Sequence, residues 1–548
     1  MNESVLHEQF KENMSELLGS EYEAFLNSLS QEPVKAVRIN TLKTSDVSLF
    51  PFLCEKVSWA ENGFYCEDIK TGGLWQSITG LIYSQDASAM APVEALNVRP
   101  GDKVLDLCAA PGGKSTQIAQ KLRGKGLLVA NEIVPQRSKI LFENIKRLGI
   151  SNAVVLNENP QKLEERFSGY FDKILVDAPC SGEGMFRKDS EAAEMWTPET
   201  NAVCAERQLK ILNSAKKMLK PGGRLVYSTC TFSKTENENV ILKFLEENMD
   251  FEIAEHGVLG IEPGFSPLEK SGRIFPHRQK GEGHFLAALK KLDGETGNTA
   301  DMKTADKKDT ALYRDFEKEF FCGKHYENVY ISGSRVYVCD TALPDLTGLK
   351  WLCGGVYAGE NKKGRYEPEH HLAIASKKSD FKYAYELTEE EFKKYIFGET
   401  VRADISGWCA ACFRGFPAGL GKGSGGIGVG VGGDGKVTIE GGSTITAEGT
   451  NYSGISTGTD GTVTIKDSTV KKATGGSRGS GIGTGIAGQN PGSTIKIINS
   501  KILASLGGVA GIGGGTNTNV SITGKSDVGT VTGGNAGIGS NGGNTTIT

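Results

Sequence analysis

From residue 103 to residue 228 the sequence alternates between short apolar strands and amphipathic helices. Strand-like segments occupy 103–107, 126–131, 153–156, 173–176 and 224–228. Parallel strands need a crossover connection, and helices usually provide it, so this alternation predicts a parallel sheet with helices on both faces. We therefore assign the chain to the α/β class. Before this region, 3–30 has the apolar spacing of amphipathic helices and 36–43 alternates like a strand.

Glycine content divides the chain into two parts. Of the 72 glycines, 36 lie in residues 1–422 and 36 in the last 126 residues. Two short motifs recur in this tail: strand-like triplets at 437–439, 463–465, 495–497, 520–522 and 545–547, and Gly-Ile pairs at Ile427, Ile455, Ile482, Ile512 and Ile538. Repetition every 25 to 32 residues is typical of stacked repeats, so the tail is predicted to form a parallel β-solenoid.

Several classes of protein are disfavoured by composition. The 62 Lys+Arg nearly balance the 66 Asp+Glu, so overall charge predicts no nucleic-acid partner. The chain contains no run of 18 apolar residues and no secretory signal pattern at its start, so we expect neither a membrane span nor export. Its eleven cysteines are scattered, which favours a reducing compartment.

A glycine-rich turn follows the first strand of the alternating region, in the segment Asp106-Leu-Cys-Ala-Ala-Pro-Gly-Gly-Lys114. Such a turn brings backbone amides close to a ligand, and the helix that follows it favours an anionic group. Glu132 ends the next strand, where a carboxylate can accept hydrogen bonds from both hydroxyls of a ribose. A tight strand-to-helix connection and a solvated acid at a helix start explain the same residues equally simply.

Two cysteines come just after later strands, in Asp177-Ala-Pro-Cys180-Ser-Gly and Tyr227-Ser-Thr-Cys230-Thr. A single cysteine is usually an inert core residue. Here both follow strands whose carboxyl ends meet at the edge that carries the glycine-rich turn, which favours a shared site.

These motifs together resemble the Sun/NSUN family of RNA cytosine-5 methyltransferases, and most closely its RsmF-like branch. The similarity extends over residues 1 to about 422 and includes Ser84–Met90 and Arg273–Phe285. The resemblance implies a Rossmann-like catalytic domain, S-adenosylmethionine as cofactor and a bacterial, cytoplasmic enzyme acting on rRNA, with the small subunit favoured. It indicates no membrane association, no metal and no obligate protein partner.

The resemblance also assigns candidate residues to the cofactor. The loop around S-adenosylmethionine is expected to consist of Cys108, Ala109, Ala110, Pro111, Gly112, Gly113 and Lys114. Glu132 is expected to bind the ribose, and Asp177 to lie between the cofactor and the target base. A further acidic cofactor contact falls by spacing on Asn159, with Glu158 as the rival.

In the same family pattern Cys230 is the nucleophile and Cys180 assists product release. Carbon 5 of cytosine is a poor nucleophile until a thiolate adds to carbon 6, which makes the ring enamine-like. Asp177 is expected to stabilise charge that develops on the ring. The target base must leave its stack to enter such a site.

RNA contacts are expected at Arg38 and Lys43, in the N-terminal segment. Neither His277 nor His284 is predicted to be catalytic. Cys409 and Cys412 have the spacing of a metal or redox pair, but without a second pair we expect two buried strand cysteines.

We divide the chain into six parts: 1–84, an N-terminal RNA-binding segment; 85–292, the catalytic domain; 293–310, a linker; 311–372, an RsmF-like C-terminal domain; 373–422, a PUA-like RNA-binding module that we expect to be incomplete; and 423–548, the solenoid tail. The tail resembles repeats of bacterial surface proteins, so the join suggests a fusion of unrelated segments.

Two alternatives to rRNA methylation stay open from the sequence. One is the same chemistry on tRNA. The other is a structural or adhesive β-solenoid protein that carries the enzyme as a passenger domain.

Overall fold

The chain was analysed as a computed structural model, which describes residues 6–401, 406–424, 436–439, 444–448, 455–457, 462–474, 481–484, 494–507, 510–516, 519–533, 536–541 and 545–547. It has two compact units, one comprising Met1–Leu387 with Ala410–Leu420 and the other Thr388–Cys409 with Gly421–Thr548. No helix in the described part of the chain has both the length and the apolar character needed to cross a bilayer.

The N-terminal region has the predicted amphipathic helices, and its predicted strand belongs to a small antiparallel sheet. The helices are α1 (Glu8–Leu18) and α2 (Tyr22–Leu29). The strands are β1 (Ala36–Ile39), β2 (Leu53–Lys56), β3 (Gly63–Cys66) and β4 (Ile82–Ser84), in the order β2-β3-β1-β4, with the short helix α3 (Trp75–Ile78) before β4. Phe10, Met14 and Leu18 are buried at intervals of four, so one face of α1 packs inward.

The central sheet contains the five predicted parallel strands. These are β5 (Lys103–Asp106), β6 (Leu127–Asn131), β7 (Ala153–Leu156), β8 (Phe171–Asp177) and β9 (Leu219–Thr229). They are ordered β9-β8-β5-β6-β7, and every neighbouring pair is parallel. All residues of β6 and β7 are buried, which explains why these segments, apart from Asn131, are continuously apolar instead of alternating.

Antiparallel strands continue the sheet beyond β9. They are β10 (Phe251–Ala254), β11 (Glu262–Pro263), β12 (Gly272–Ile274) and β13 (His284–Lys291), with β13 paired to β9. The helices of this region are α4 (Ala91–Leu96), α5 (Gly113–Leu122), α6 (Pro135–Arg147), α7 (Pro160–Phe167), α8 (Ser190–Met195), α9 (Pro198–Met218) and α10 (Glu238–Glu247). The result is the expected α/β fold.

The region after 293 closes the other edge of the sheet. It begins with α11 (Lys307–Phe320) and continues with β14 (Asn328–Ser332), β15 (Arg335–Cys339), β16 (Trp351–Gly354), β17 (Val356–Lys362), β18 (Arg365–Pro368) and α12 (His370–Ile374). Strand β16 pairs antiparallel with β7, so the parallel sheet is not exposed at that edge.

A three-stranded sheet follows, formed by β19 (Ala384–Glu386), β20 (Ser406–Phe413) and β21 (Phe416–Ser424); helix α13 (Glu389–Ile396) lies between β19 and β20 in sequence. Cys409 and Cys412 lie on β20 and are buried, as expected of strand cysteines.

The tail contains three parallel sheets. One joins β22 (Lys436–Ile439), β25 (Thr462–Lys466), β28 (Thr494–Ile498), β31 (Asn519–Thr523) and β34 (Thr545–Ile547); a second joins β23 (Thr444–Glu448), β26 (Thr469–Thr474), β29 (Lys501–Gly507) and β32 (Asp527–Gly533); the third joins β24 (Ile455–Thr457), β27 (Ile482–Thr484), β30 (Ala510–Thr516) and β33 (Ala536–Asn541).

The repeated sequence motifs map onto two of these sheets. All five predicted triplets are strands of the first sheet, and register pairs Ile439, Ile465, Ile497, Ile522 and Ile547 in turn. The isoleucines of four Gly-Ile pairs, Ile455, Ile482, Ile512 and Ile538, fall on the third sheet, whereas Ile427 lies outside the described residues. Isoleucine and valine side chains of successive strands form one buried cluster.

Candidate active site

The carboxyl ends of β5, β6, β8 and β9 meet at one edge of the central sheet. Cys108 follows β5, Glu132 follows β6, Asp177 ends β8 and Cys230 follows β9. Because parallel strands have their carboxyl ends on the same side, the topology brings these predicted residues to one edge.

The glycine-rich loop is fixed by contacts from helix α6. Arg137 donates to Ala110 O at 2.8 Å, and Asn144 donates to Pro111 O at 2.8 Å. Gly112 has φ +114°, and a Cβ there would lie 3.1 Å from Leu141 Cδ1, so both conformation and space favour glycine. Helix α5 begins at the next residue and directs its first N–H groups towards the loop.

Lys114 and Asp177 form a partly buried ion pair at this edge, with Nζ and Oδ2 2.8 Å apart. Asp177 Oδ1 accepts a hydrogen bond from Ser228 Oγ at 2.7 Å. Burial acts to raise the pKa of Asp177, but Lys114, His284 and these hydrogen bonds outweigh it, so the pKa is lowered and the group is a carboxylate.

Lys114 also interacts with the predicted nucleophile. Burial acts to lower the pKa of Lys114, yet the negative charges of Asp177, Cys230 and Asp106 raise it overall. Since electrostatic coupling is mutual, the ammonium group stabilises negative charge on Cys230.

The two cysteines are in direct contact: their Sγ atoms are 3.3 Å apart. The hydrogen bond to Cys230, followed by burial, raises the pKa of Cys180 well above its usual value. Cys180 therefore remains a thiol, in hydrogen-bonding contact with the sulfur of Cys230.

A buried carboxylate that the sequence analysis missed holds the two cysteine loops together. Glu236 accepts from Ser181 N at 3.0 Å and from Gln208 Nε2 at 2.8 Å, and Ser181 Oγ lies 2.9 Å from Thr231 Oγ1. Burial raises the pKa of Glu236 to about 7. No sequence signal distinguishes Glu236 from its neighbours in the Thr-Glu-Asn-Glu-Asn segment. Ser228, which donates to Asp177, was also missed, although it lies within the motif Tyr227-Ser-Thr-Cys230-Thr.

Glu132 lies where the sequence predicts it, at the end of β6, and is only 3% exposed. Its Oε1 accepts from Val134 N at 2.9 Å, and its Oε2 lies 3.5 Å from Arg137 Nη1. The carboxylate also interacts electrostatically with Cys108 of the loop. Glu132 and the loop thus form one cluster.

Asn159, the further predicted cofactor contact, has a local structural role at the start of α7. Asn159 is exposed, and its Oδ1 caps α7 by accepting from Gln161 N at 3.1 Å. The rival Glu158 is buried, with Oε1 2.7 Å from Lys162 Nζ and from Lys350 N. Both side chains satisfy their hydrogen bonds within the protein.

The structure places Arg38, a predicted RNA contact, inside the protein. Arg38 is 2% exposed, and its guanidinium donates to Gln120 Oε1 at 2.7 Å, Gly113 O at 2.8 Å and Thr116 Oγ1 at 2.6 Å. Through these bonds it fixes the start of α5 from β1. A buried cation is sustained by such internal hydrogen bonds.

Lys43, the second predicted RNA contact, also makes its hydrogen bond within the protein. Its Nζ donates to Thr79 O at 2.7 Å, and burial together with Arg147 lowers the pKa of Lys43 to about 7. Lys43 is partly buried, and its ammonium group bonds within the protein.

Comparison with known proteins gives matches along the first four-fifths of the chain. Four family models match: the N-terminal domain of 16S rRNA methyltransferase RsmF at 6–87, 16S rRNA methyltransferase RsmB/F at 93–290, the RsmF rRNA methyltransferase first C-terminal domain at 315–375, and the methyltransferase RsmF PUA domain at 382–428.

Similar proteins agree with these models. A ribosomal RNA small subunit methyltransferase F of Vibrio campbellii is 34% identical over 418 residues, covering 69% of this chain and 84% of the relative. The protein of the same name in Escherichia coli O157:H7 is 31% identical over 444 residues, covering 76% and 92%. The crystal structure of PH0851 is 30% identical with a TM-score of 0.50, covering 52% of this chain and 66% of that chain.

The sheet, the glycine-rich loop and these matches define a Rossmann-like methyltransferase that uses S-adenosylmethionine. More specifically, it is an RNA (cytosine-5) methyltransferase. The chain belongs to the RsmF branch of the 16S rRNA methyltransferase RsmB/F family.

Proposed function

We propose that the protein methylates carbon 5 of one cytosine in the 16S rRNA of the small ribosomal subunit, in the bacterial cytoplasm, with Cys230 as the nucleophile. The observation that carries this assignment is the 3.3 Å contact between Cys180 and Cys230, beside the Lys114–Asp177 ion pair. tRNA is the less favoured substrate, because the relatives described above are named for small-subunit rRNA.

The residues at the sheet edge fit S-adenosylmethionine, which supplies an electrophilic methyl group when bound. Glu132 suits the ribose hydroxyls, and the loop from Cys108 to Lys114 suits the rest of the molecule. Asp106 Oδ1 is buried beside this loop without a hydrogen-bond partner in the protein, which fits the cationic amino group of the cofactor. Asn159, which caps α7, remains the weakest candidate for cofactor contact.

The chain's own residues account for base activation. The Cys230 thiolate, stabilised by Lys114, adds to carbon 6 of the cytosine, and carbon 5 then becomes nucleophilic. As the carbon–sulfur bond forms, N3 takes up a proton from solvent water, and the Asp177 carboxylate accepts a hydrogen bond from this N3–H group. After methylation, solvent water takes the proton from carbon 5 as the carbon–sulfur bond breaks, which restores the Cys230 thiolate, and N3 returns its proton to solvent. Cys180, as a neutral thiol, hydrogen-bonds the departing sulfur.

The six parts that the sequence predicts are retained in this proposal. Residues 1–84 support the catalytic domain of 85–292, and the regions 311–372 and 373–422 extend it towards RNA. Residues 423–548 are proposed to form a β-solenoid, supported by three parallel sheets and their buried isoleucines. We assign the tail no part in methylation.

The decisive test is bisulfite sequencing of rRNA and tRNA from cells with and without the gene. We expect one cytosine of 16S rRNA to lose its protection when the gene is deleted and to regain it on complementation. Assays on purified 16S rRNA and on assembled 30S subunits then identify the substrate form. Loss of protection in tRNA alone would contradict the proposal.

Replacing Glu132 with alanine is expected to weaken S-adenosylmethionine binding by about 1.5–3 kcal/mol, the range for losing hydrogen bonds to a charged group. The side chain is buried beside the loop, so no neighbour replaces it. Isothermal titration calorimetry measures the change. Glu143→Ala, at an exposed position on α6, is the matched control and should bind as the unmodified protein does. An unchanged dissociation constant for Glu132→Ala would remove this residue from the site.

Deleting residues 429–548 is expected to leave methyl transfer unchanged. From residue 423 onward the tail carries eight Lys+Arg and six Asp+Glu, which offers little attraction for phosphates. Tyr452 is its sole aromatic residue in sequence, so bases find no stacking platform. The cut keeps β21 and the whole range matched by the PUA model. Circular dichroism confirms folding; a folded truncation that loses most of its activity would show that the tail binds substrate.

A further inference from the structure

His284 is a titratable side chain at the site edge to which the proposed mechanism gives no task. It begins β13 and is 4% exposed. Its Nε2 has no hydrogen-bond partner among the described residues and lies 3.9 Å from Asp177 Oδ1. A buried imidazole nitrogen without a partner is costly unless a ligand satisfies it.

Strand register places His284 beside the nucleophile. Phe285 of β13 pairs with Thr229 of β9, and extending this antiparallel register by one residue sets His284 opposite Cys230. Directly opposed residues project from the same face of a sheet. The surrounding loops are also tied together, since Gly184 N donates to Cys230 O at 2.9 Å and Gly283 N donates to Gly184 O at 3.3 Å.

The hydrogen bonding of the ring fixes which nitrogen carries the proton. The imidazole bonds to the backbone of Gly283, and this bond acts to raise the pKa of His284, as a carbonyl acceptor does. Because Nε2 has no partner among the described residues, we assign this bond to Nδ1. Burial first, and then the charge of Lys114, lowers the pKa of His284 to about 4, so the ring is neutral at physiological pH. Nδ1 thus carries the hydrogen, and Nε2 presents a lone pair.

Two acceptors therefore face the same space: Nε2 of His284 and the carboxylate of Asp177. Two acceptors without a shared proton do not bond to one another, and a group with two N–H donors satisfies both. The exocyclic amino group of cytosine is such a group. Uracil has a carbonyl oxygen at that position, and an acceptor opposed to two acceptors is repelled.

We propose that His284 Nε2 accepts a hydrogen bond from the exocyclic amino group of the target cytosine and so selects cytosine over uracil. This inference rests on the proposed function and identifies a base-reading residue within it. His284 is thereby a specificity-determining residue of the site.

A chemical double-mutant cycle tests the contact. The unmodified protein and His284→Phe are compared on 16S rRNA that carries, at the mapped position, either cytidine or the ribonucleoside of pyrimidin-2-one, which lacks the amino group. The readout is single-turnover methyl transfer from tritiated S-adenosylmethionine. We expect His284→Phe to slow transfer to cytidine by about 10- to 100-fold, because the amino group of cytosine loses its hydrogen bond to Nε2. Transfer to the pyrimidin-2-one should change little, because that base has no amino group to make this bond.

Further variants make the result decisive. His284→Gln, which restores an acceptor, is expected to recover most of the rate on cytidine, and His284→Ala gives the same comparison if the phenylalanine variant does not fold. Equal slowing on both RNAs would overturn the inference and show a structural role. If the proposed function itself were wrong, the unmodified protein would transfer no methyl group to the cytidine RNA.

Discussion

Cys230→Ala is expected to abolish methyl transfer to 16S rRNA while S-adenosylmethionine still binds. Without a thiolate at carbon 6, carbon 5 of cytosine does not become nucleophilic. Cys180 does not substitute, because its pKa is raised well above its usual value and its sulfur remains protonated. The cofactor loop follows β5, whereas Cys230 follows β9, so the substitution leaves the loop intact.

The measurement is tritium transfer to 16S rRNA, with calorimetry to verify cofactor affinity. Cys54→Ala is the matched control, since Cys54 is exposed on β2. It should retain the activity of the unmodified protein. If Cys230→Ala kept a tenth of that activity, the nucleophile would have to be another residue.

Much of the central domain is predictable because its signals are local. Short apolar segments joined by helical segments predicted β5 to β9. The glycine-rich turn predicted the loop, in which Gly112 has a positive φ. The positions of Asp177, Cys180 and Cys230 followed from a topological rule: residues after parallel strands share one edge. The repeat period in the tail likewise predicted the strands of its first sheet.

What the sequence could not predict depends on burial and on long-range partners. Arg38 lies between apolar residues on β1, which is the pattern of an exposed side chain on a half-buried strand. Only its hydrogen bonds to α5 show that it is buried. Asn159 fits a cofactor contact by spacing, yet the start of α7 uses its side chain as a cap. His284 was not predicted to act because its orphaned nitrogen is visible only in three dimensions.

Cys180→Ala is expected to trap a covalent complex between the protein and RNA. Cys230 keeps its position and its neighbour Lys114, so addition to carbon 6 and methylation both proceed. Release differs, because the departing sulfur of Cys230 loses the thiol that lies 3.3 Å from it. The adduct should therefore accumulate, and a slow band containing both protein and 16S rRNA should appear on a denaturing gel. The unmodified protein, which completes release, should show little of this band.

The double variant Cys180→Ala/Cys230→Ala separates this explanation from non-specific crosslinking. It lacks the sulfur that forms the bond, so the slow band should be absent although the cofactor still binds. Ser181 and Glu236 hold the Cys180 loop through hydrogen bonds of the backbone and the serine hydroxyl, which the alanine leaves in place. The loop thus keeps its shape in both variants, and the band reports chemistry at Cys180 alone. Normal turnover by Cys180→Ala, with no adduct on 16S rRNA or on 30S subunits, would show that this thiol only packs against its neighbour and that release needs no second sulfur.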